Sequence, residues 1–357
     1  MRLYLVGGFL GSGKTTAIGT ACSLLLKQGT AVAVITNDQG SQLVDSKFIS
    51  SLNIFYSEVK NGCFCCNYHQ FYDALQTLGT SKHPEIIFAE AVGSCADLVA
   101  TIVKPLRRFD RAIKTVLSVF ADGPQLLSIL EGKSFFISND IQYIYKKQLE
   151  ETDILIVNKS DLLSNAERQK IKTILSEEYP RKNILFQDSR NESSIENWLE
   201  LVDKTGSESG AVSLDIDYEK YAKGEAALAW LDSSVIIHSK GGAIQKSFEF
   251  ICFIAGAISA GNLPIGHLKF FVNGAGLEQK ISYAPGSAVS KIEVIKDRTA
   301  DHATILVNAR VETDPDELKR IFYQAIRNTE DQACQIDVLD VSFFQPGYPK
   351  PSYRFSD

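Results

Sequence analysis

Cys63, Cys65 and Cys66 put three thiols within four residues. Ionised thiols bind soft or borderline cations such as Zn²⁺, and a bound cation keeps them ionised by lowering their pKa. Three ligands leave a fourth coordination position open, which suits transfer better than permanent structural binding. His69, water or a partner protein are the candidates to fill it. A redox pair and buried small hydrophobes remain the other readings of such a cluster. Cys22, Cys95, Cys252 and Cys334 stand alone in the sequence and read as structural.

Residues 8–15 read G-F-L-G-S-G-K-T, which is the phosphate-binding pattern G-x-x-x-x-G-K-[ST]. An apolar run precedes it and an amphipathic stretch, residues 14–28, follows, as a strand–loop–helix unit requires. Glycines let successive backbone N–H groups turn inward on one anion, and the helix adds the positive end of its dipole. Gly8, Gly11, Ser12, Gly13, Lys14, Thr15 and Thr16 are the expected nucleotide contacts. Lys14 would neutralise the outer phosphates and Thr15 would offer its hydroxyl to Mg²⁺. The bland alternative is an ordinary glycine-rich turn.

A nucleoside triphosphatase also needs a carboxylate at a neighbouring strand end. Glu90 follows the apolar run Ile86-Ile-Phe-Ala, and the backbone N–H of Gly93 just beyond it could sense a γ-phosphate. Glu90 with Thr15 is the expected Mg²⁺ pair. Asp38 follows another run and is a second catalytic candidate, and Asp122 follows a third; helix capping is the alternative for such residues. Residues 158–161 read N-K-S-D at the end of a further run. The Asp161 carboxylate can accept from both guanine N1–H and N2–H₂, which adenine cannot match. Asn158 would brace the loop, and the Lys159 stem would cover the ring face. A solvated polar loop is the alternative here.

The elements that would hold these groups are legible as short apolar runs. Residues 3–6, 31–36, 86–89, 116–121, 154–157 and 184–186 read as buried parallel strands, with helical segments between many of them. This predicts a doubly wound, mostly parallel α/β sheet with ligands at the carboxyl ends of its strands, the P-loop NTPase arrangement. Polar residues 203–213 mark a boundary, giving a nucleotide domain over 1–205 and a smaller α+β domain over 214–357. In the second part, residues 218–230 read as a helix, and so does a stretch opened by Asp314 with Leu318, Ile321, Phe322, Ala325 and Ile326 as its buried stripe. Strands are expected near 235–238, 248–254, 268–272, 291–294 and 304–310. Asp314 with Glu317 looks like a capping box.

The chain has 357 residues, a net charge of −6 and ordinary globular composition, 45% hydrophobic. That balance argues against a nucleic-acid binder, and the longest apolar run, residues 250–260, is too short to span a bilayer. The first apolar run starts almost at Met1, so no leader is expected. Seven cysteines, an odd number with three clustered, point to a reducing cytoplasm.

These motifs, in their order, resemble the CobW-type branch of the metal-associated GTPases, which include HypB- and UreG-like proteins. The resemblance runs through residues 7–16, 37–40, 63–66, 90–93 and 158–161, and covers roughly the first 200 residues. It implies slow hydrolysis of GTP to GDP with Mg²⁺, Zn²⁺ or Co²⁺ as cargo on the cysteines, and a metalloprotein or cofactor-pathway client. Homodimerisation is left open. The chain departs from the family pattern with Ala91 after the glutamate and with no histidine run. Two rivals remain: a small-molecule kinase using ATP, against which residues 158–161 argue, and a scaffold for a metalloenzyme that transfers no ion.

Overall fold

The computed structural model describes residues 1–40, 44–133, 135–152, 154–205, 212–284 and 298–356. The expected strand near 291–294 lies outside them. The chain begins with β1 (Arg2–Gly8), α1 (Lys14–Lys27), β2 (Val32–Asn37), α2 (Val44–Ser51), β3 (Phe55–Val59), α3 (Tyr68–Lys82) and β4 (Ile86–Glu90). A π-helical stretch, Val99–Val103, runs into α4 (Lys104–Phe109). There follow β5 (Lys114–Asp122), α5 (Gly123–Leu130), α6 (Asn139–Glu151), β6 (Ile154–Asn158), α7 (Asn165–Glu178), β7 (Asn183–Phe186) and α8 (Glu192–Thr205). These seven strands form one parallel sheet in the order β3-β2-β4-β1-β5-β6-β7. It is the doubly wound P-loop arrangement. Apolar side chains fill both faces, with Leu3 and Leu5 on one and Tyr4 and Val6 on the other. Burial on both faces is why the strands read as continuous apolar runs.

The second half contributes α9 (Tyr218–Ala226), β8 (Leu228–Ser239), α10 (Ala243–Ala260), β9 (Ile265–Gly274), β10 (Leu277–Tyr283), β11 (His302–Glu312), α11 (Pro315–Thr329) and β12 (Cys334–Phe344). Its sheet is antiparallel, in the order β10-β9-β11-β8-β12, with α10 and α11 sharing its apolar core. α9 packs on α6, and its Tyr221 enters the first core.

Three expectations change here. Residues 248–254, read as a strand, lie within α10. Phe248, Phe250, Cys252 and Ile254 alternate locally, but Ile244, Ser247, Phe248, Ile251, Ile254, Ala255 and Ile258 are buried at helical spacing. α10 is also long and apolar enough to cross a membrane by length and composition, though half of it is buried inside the protein. The helix expected over 218–230 ends at Ala226, where β8 takes over. Asp314 does cap α11 by accepting from the Glu317 N–H, but the Glu317 carboxylate turns to Arg320 rather than closing the box.

One buried acid anchors the stretch that leads out of β4. Glu151, at the end of α6, accepts from the Val99 N–H at 2.7 Å. Burial pushes its carboxyl up to about 8, the Val99 bond opposing. An ordinary glutamate ionises in the unfolded chain near pH 4.3. Between that pH and about 8 the folded state therefore holds the extra proton, and stability falls as pH rises. Glu151→Gln should flatten this decline by up to about 1.4 kcal/mol per pH unit, measured by urea denaturation from pH 5.5 to 8.

Candidate functional site

The parallel strands deliver the candidate groups to one edge of the sheet. β1 lies between β4 and β5, with Val6 beside Glu90 and Gly8 beside Phe120. Gly8 has φ +119°, and a Cβ there would overlap the Phe120 backbone. Gly13 has φ +89°, and a Cβ there would strike the Asn158 amide. The loop needs glycine at these positions both for its left-handed turns and for close approach of its neighbours.

Lys14 Nζ folds back on the Gly8 and Phe9 carbonyls at 2.7 and 3.1 Å. Burial lowers its ammonium to about 8, with nearby Glu90 opposing. Thr15 Oγ1 donates to Glu90 Oε1 at 3.0 Å, while Glu90 Oε2 is buried without a hydrogen-bond partner. That orphaned oxygen beside a hydroxyl fits a hard divalent cation. Burial raises the Glu90 carboxyl, and the charge of Asp45 adds to the effect. Gly11, Gly13, Lys14, Thr15, Thr16 and Glu90 line a cavity of about 380 Å³, and Asn158, Lys159 and Asp161 line the same space. Ser12 is buried just behind, its hydroxyl on the Phe9 carbonyl. Gly93 and Asp38 line a small recess behind the cavity, beside Lys14 and Glu90.

Asn158 braces the loops. Its Nδ2 donates to the Ser12 carbonyl at 2.7 Å, and its Oδ1 accepts from Ser189 Oγ at 2.7 Å. Asp161 holds Arg190 at 2.7 Å near the surface. Asp122 serves as a cap, accepting from Gln125 N, and pairs Lys159 at 2.6 Å. It does not join the cavity lining. Asp38 accepts from Arg310 Nη2 at 2.8 Å. Arg310 is fully buried, lies 3.7 Å over the Trp230 ring, and reaches Asp232 with its other nitrogen.

The ligand atoms of Cys63, Cys65 and Cys66 lie within 4.8 Å of one another, the one such candidate metal group among the described residues. Asn37 holds their segment: Nδ2 donates to the Val59 and Gly62 carbonyls, and Oδ1 accepts from Phe64 N. Phe64 and Cys65 share an apolar cluster with Phe9 and Leu10 of the glycine loop. The chain's tail crosses the thiols. Lys350 N donates to Cys66 Sγ at 3.3 Å and Ser352 N to the Cys65 carbonyl at 2.8 Å. His69 faces the Tyr353 hydroxyl at 3.5 Å and does not join the group.

Cys95 is not isolated, as its lone place in the sequence suggested; its thiol interacts with those of Cys63 and Cys65. Hydrogen bonds from Cys65, Cys66 and Cys95 hold Cys63 well below the usual thiol range. Donation to Cys63 drives Cys65 and Cys95 well above it, and Cys66 up to about 11. The four sulfurs thus form one interacting cluster. Cys22 and Cys334 are buried as expected, but Cys252 is exposed on α10.

The family model described as "CobW/HypB/UreG, nucleotide-binding domain" matches residues 2–186. The chain belongs to the CobW/HypB/UreG family. The "Zinc chaperone YeiR" of Escherichia coli (strain K12) is 29% identical over 165 residues, 45% of this chain and 47% of that protein. The "Zinc chaperone CobW" of Sinorhizobium sp is 24% identical over 210 residues, 53% of this chain and 59% of that protein. The chain therefore spans about half the length of the curated relatives it matches. The structure of HypB from Helicobacter pylori in complex with nickel covers 60% of this chain and 91% of its own, at 15% identity and a TM-score of 0.42.

Sequence reasoning missed several groups in this CobW/HypB/UreG member. Glu225 of α9 joins the loops after β2 and β4, accepting from Gln39 at 3.2 Å and Ser94 at 2.6 Å. Ser189 stands after β7 with no motif to mark it. Cys95, only two residues past Gly93, lies far along the chain from the trio. Lys269 and Lys280 reach the cavity from the second sheet.

An ion entering this cluster must displace thiol protons. Apparent Zn²⁺ affinity of the reduced protein should rise about tenfold per pH unit for each proton released between pH 6.5 and 8. Competition against a chelating indicator measures it, and a pH-independent affinity would exclude thiolate ligation by Cys65 and Cys66.

Proposed function

We propose that the chain is a GTP-dependent metallochaperone. It binds a transition ion, Zn²⁺ or Co²⁺ among the candidates, on Cys63, Cys65 and Cys66, and couples transfer to a metalloprotein client to slow hydrolysis of GTP to GDP. Similarity to two zinc chaperones supports the ion, and family membership supports the nucleotide. One observation carries the coupling. Asn37 anchors the cysteine segment and is followed by Asp38 and Gln39, which face the phosphate recess and Glu225. On this reading, residues 1–205 form the nucleotide and ion domain, and residues 214–357 grip the client or effector. Cytoplasmic residence fits the free thiols.

The chain's own groups then act as follows. Gly8, Gly11, Ser12 and Gly13 turn backbone N–H groups to the phosphates, and Thr16 follows at the head of α1. Lys14 exchanges the Gly8 and Phe9 carbonyls for the outer phosphates, which restores a full charge to its buried ammonium. Thr15 and Glu90 would hold Mg²⁺, which when bound neutralises charge on the leaving phosphates. Glu90 or Asp38 orients the attacking water, and the Gly93 N–H meets the terminal phosphate. Asp161 reads guanine after releasing the exposed Arg190, while Asn158 and Lys159 steady the base. Contacts to the terminal phosphate draw in the loops after β2 and β4 and tighten the sulfur group; hydrolysis removes them.

A scaffold that transfers no ion is the second reading. Burial of Cys63 and Cys65 beneath the tail favours it.

Titration of the reduced protein with Co²⁺ tests the proposal. A non-hydrolysable GTP analogue should tighten Co²⁺ binding by about tenfold, and Co²⁺ should tighten the analogue by the same factor. Equal Co²⁺ affinity with and without the analogue would sink the coupling. Lys14→Ala should abolish the nucleotide effect and leave Co²⁺ binding intact. ATP should compete at least about 100-fold less well than GTP.

A further inference from the structure

The second sheet places two cations against the glycine loop. Lys269 on β9 and Lys280 on β10 both line the 380 Å³ cavity together with Lys14, Thr15 and Glu90. Their side chains are only 14% and 13% exposed. Both turn to one residue of the first sheet's domain, Asp45 in α2: Lys269 Nζ lies 2.6 Å from Oδ2 and Lys280 Nζ 2.7 Å from Oδ1. Lys280 also sits 4.7 Å above the ring of Phe48 on the same helix. Two ammonium groups share one carboxylate, and Lys14 lies nearby facing Glu90, a carboxylate of the cavity lining. Three cations thus converge on one cavity, where an entering anion meets all of them.

Beside these paired lysines stands a buried group with an unpartnered atom. His267, two residues before Lys269, is 5% exposed, lines the cavity, and has its Nε2 buried without a hydrogen bond. Burial holds its imidazole well below the usual range, and the neighbouring charges of Lys269 and Arg310 add to this. Its Nε2 is free to meet a polar atom of an entering ligand. Lys269 also lines the small recess that opens beside Lys14, Glu90 and Gly93; Lys280 does not.

Resting on the proposed GTP reading, the geometry points to Lys269 as a phosphate ligand supplied by the second sheet, contacting the terminal phosphate of the bound triphosphate in competition with Asp45. Lys280 stays on Asp45 as the positioning cation. The exchange trades a carboxylate partner for a phosphate oxygen. It also changes the hold of α2 on β9 and β10, so the two sheets are drawn together by triphosphate and relax with diphosphate. Selectivity for GTP over GDP is thereby a property of the second domain, not of the glycine loop alone.

Calorimetric titration of the full chain with Mg²⁺ and either GDP or a non-hydrolysable GTP analogue tests this. Lys269→Gln should weaken the analogue at least about tenfold and GDP by less than about threefold, since a charge-assisted bond to the terminal phosphate is lost. Lys269→Arg should keep most of the analogue affinity. Asp45→Asn should strengthen the analogue, because the competing carboxylate is gone. An analogue affinity in Lys269→Gln within about twofold of wild type would overturn the inference. So would an Asp45→Asn variant weakened as much as Lys269→Gln, which would make the cluster a brace between sheets. Intact, Lys14-dependent GTP binding with an indifferent Lys269→Gln would defeat this inference alone. Absence of any guanine-nucleotide binding by the wild type would defeat the functional reading with it.

Discussion

A single amide side chain, Asn37, sets the relation between the sulfur cluster and the sheet. It stands at the end of β2 and uses both of its polar atoms on the segment that carries Cys63, through the carbonyls of Val59 and Gly62 and the N–H of Phe64. Those bonds satisfy the Gly62 carbonyl and the Phe64 N–H, while the Val59 carbonyl also accepts from the Asp38 N–H. The next residue, Asp38, faces Lys14 and Glu90 across a narrow recess. The end of β2 therefore touches both the cysteine segment and the recess beside the glycine loop. Without this link the thiols would be a separate feature on a common fold.

The two sheets meet through charge as well as through an apolar contact, Val44 and Phe48 of α2 against Phe271 and Leu306. Arg310 spans Asp38 and Asp232 while stacked on Trp230, and Lys269 and Lys280 converge on Asp45. Desolvating such groups costs about as much as their attraction returns, so they contribute little net stability. They do fix alignment, since breaking one partner leaves a buried charge alone.

Much of the first domain was legible because its strands are buried on both faces and its loops carry fixed spacings. β3 escaped notice because it lies at an edge, where Phe55 is exposed and Ser57 and Glu58 interrupt the apolar pattern. β10 escaped for a similar reason: Leu277 and Tyr283 alone are buried in it. α10 was misread because its aromatic residues alternate over a few positions while the burial follows a longer period. At the site, Lys14, Thr15, Glu90 and Asn158 were readable from their place after strands. Cys95, Glu225 and Lys269 were not, since nothing in local spacing reveals which distant residue a fold will bring alongside. Tertiary pairing across 131 positions, as between Ser94 and Glu225, leaves no mark on either neighbourhood.

The path of the backbone interleaves the two halves. α9 leaves the polar linker only to rest on α6, and after β12 the last residues run back over Cys65, Cys66, Asp97 and Ala100. Severing the linker would not yield two self-sufficient modules. The amino-terminal fragment would be stripped of its covering strand of chain and of a helix that fills its core, and its sulfurs would meet air and solvent directly. Oxidation of the clustered thiols would then compete with their binding of an ion.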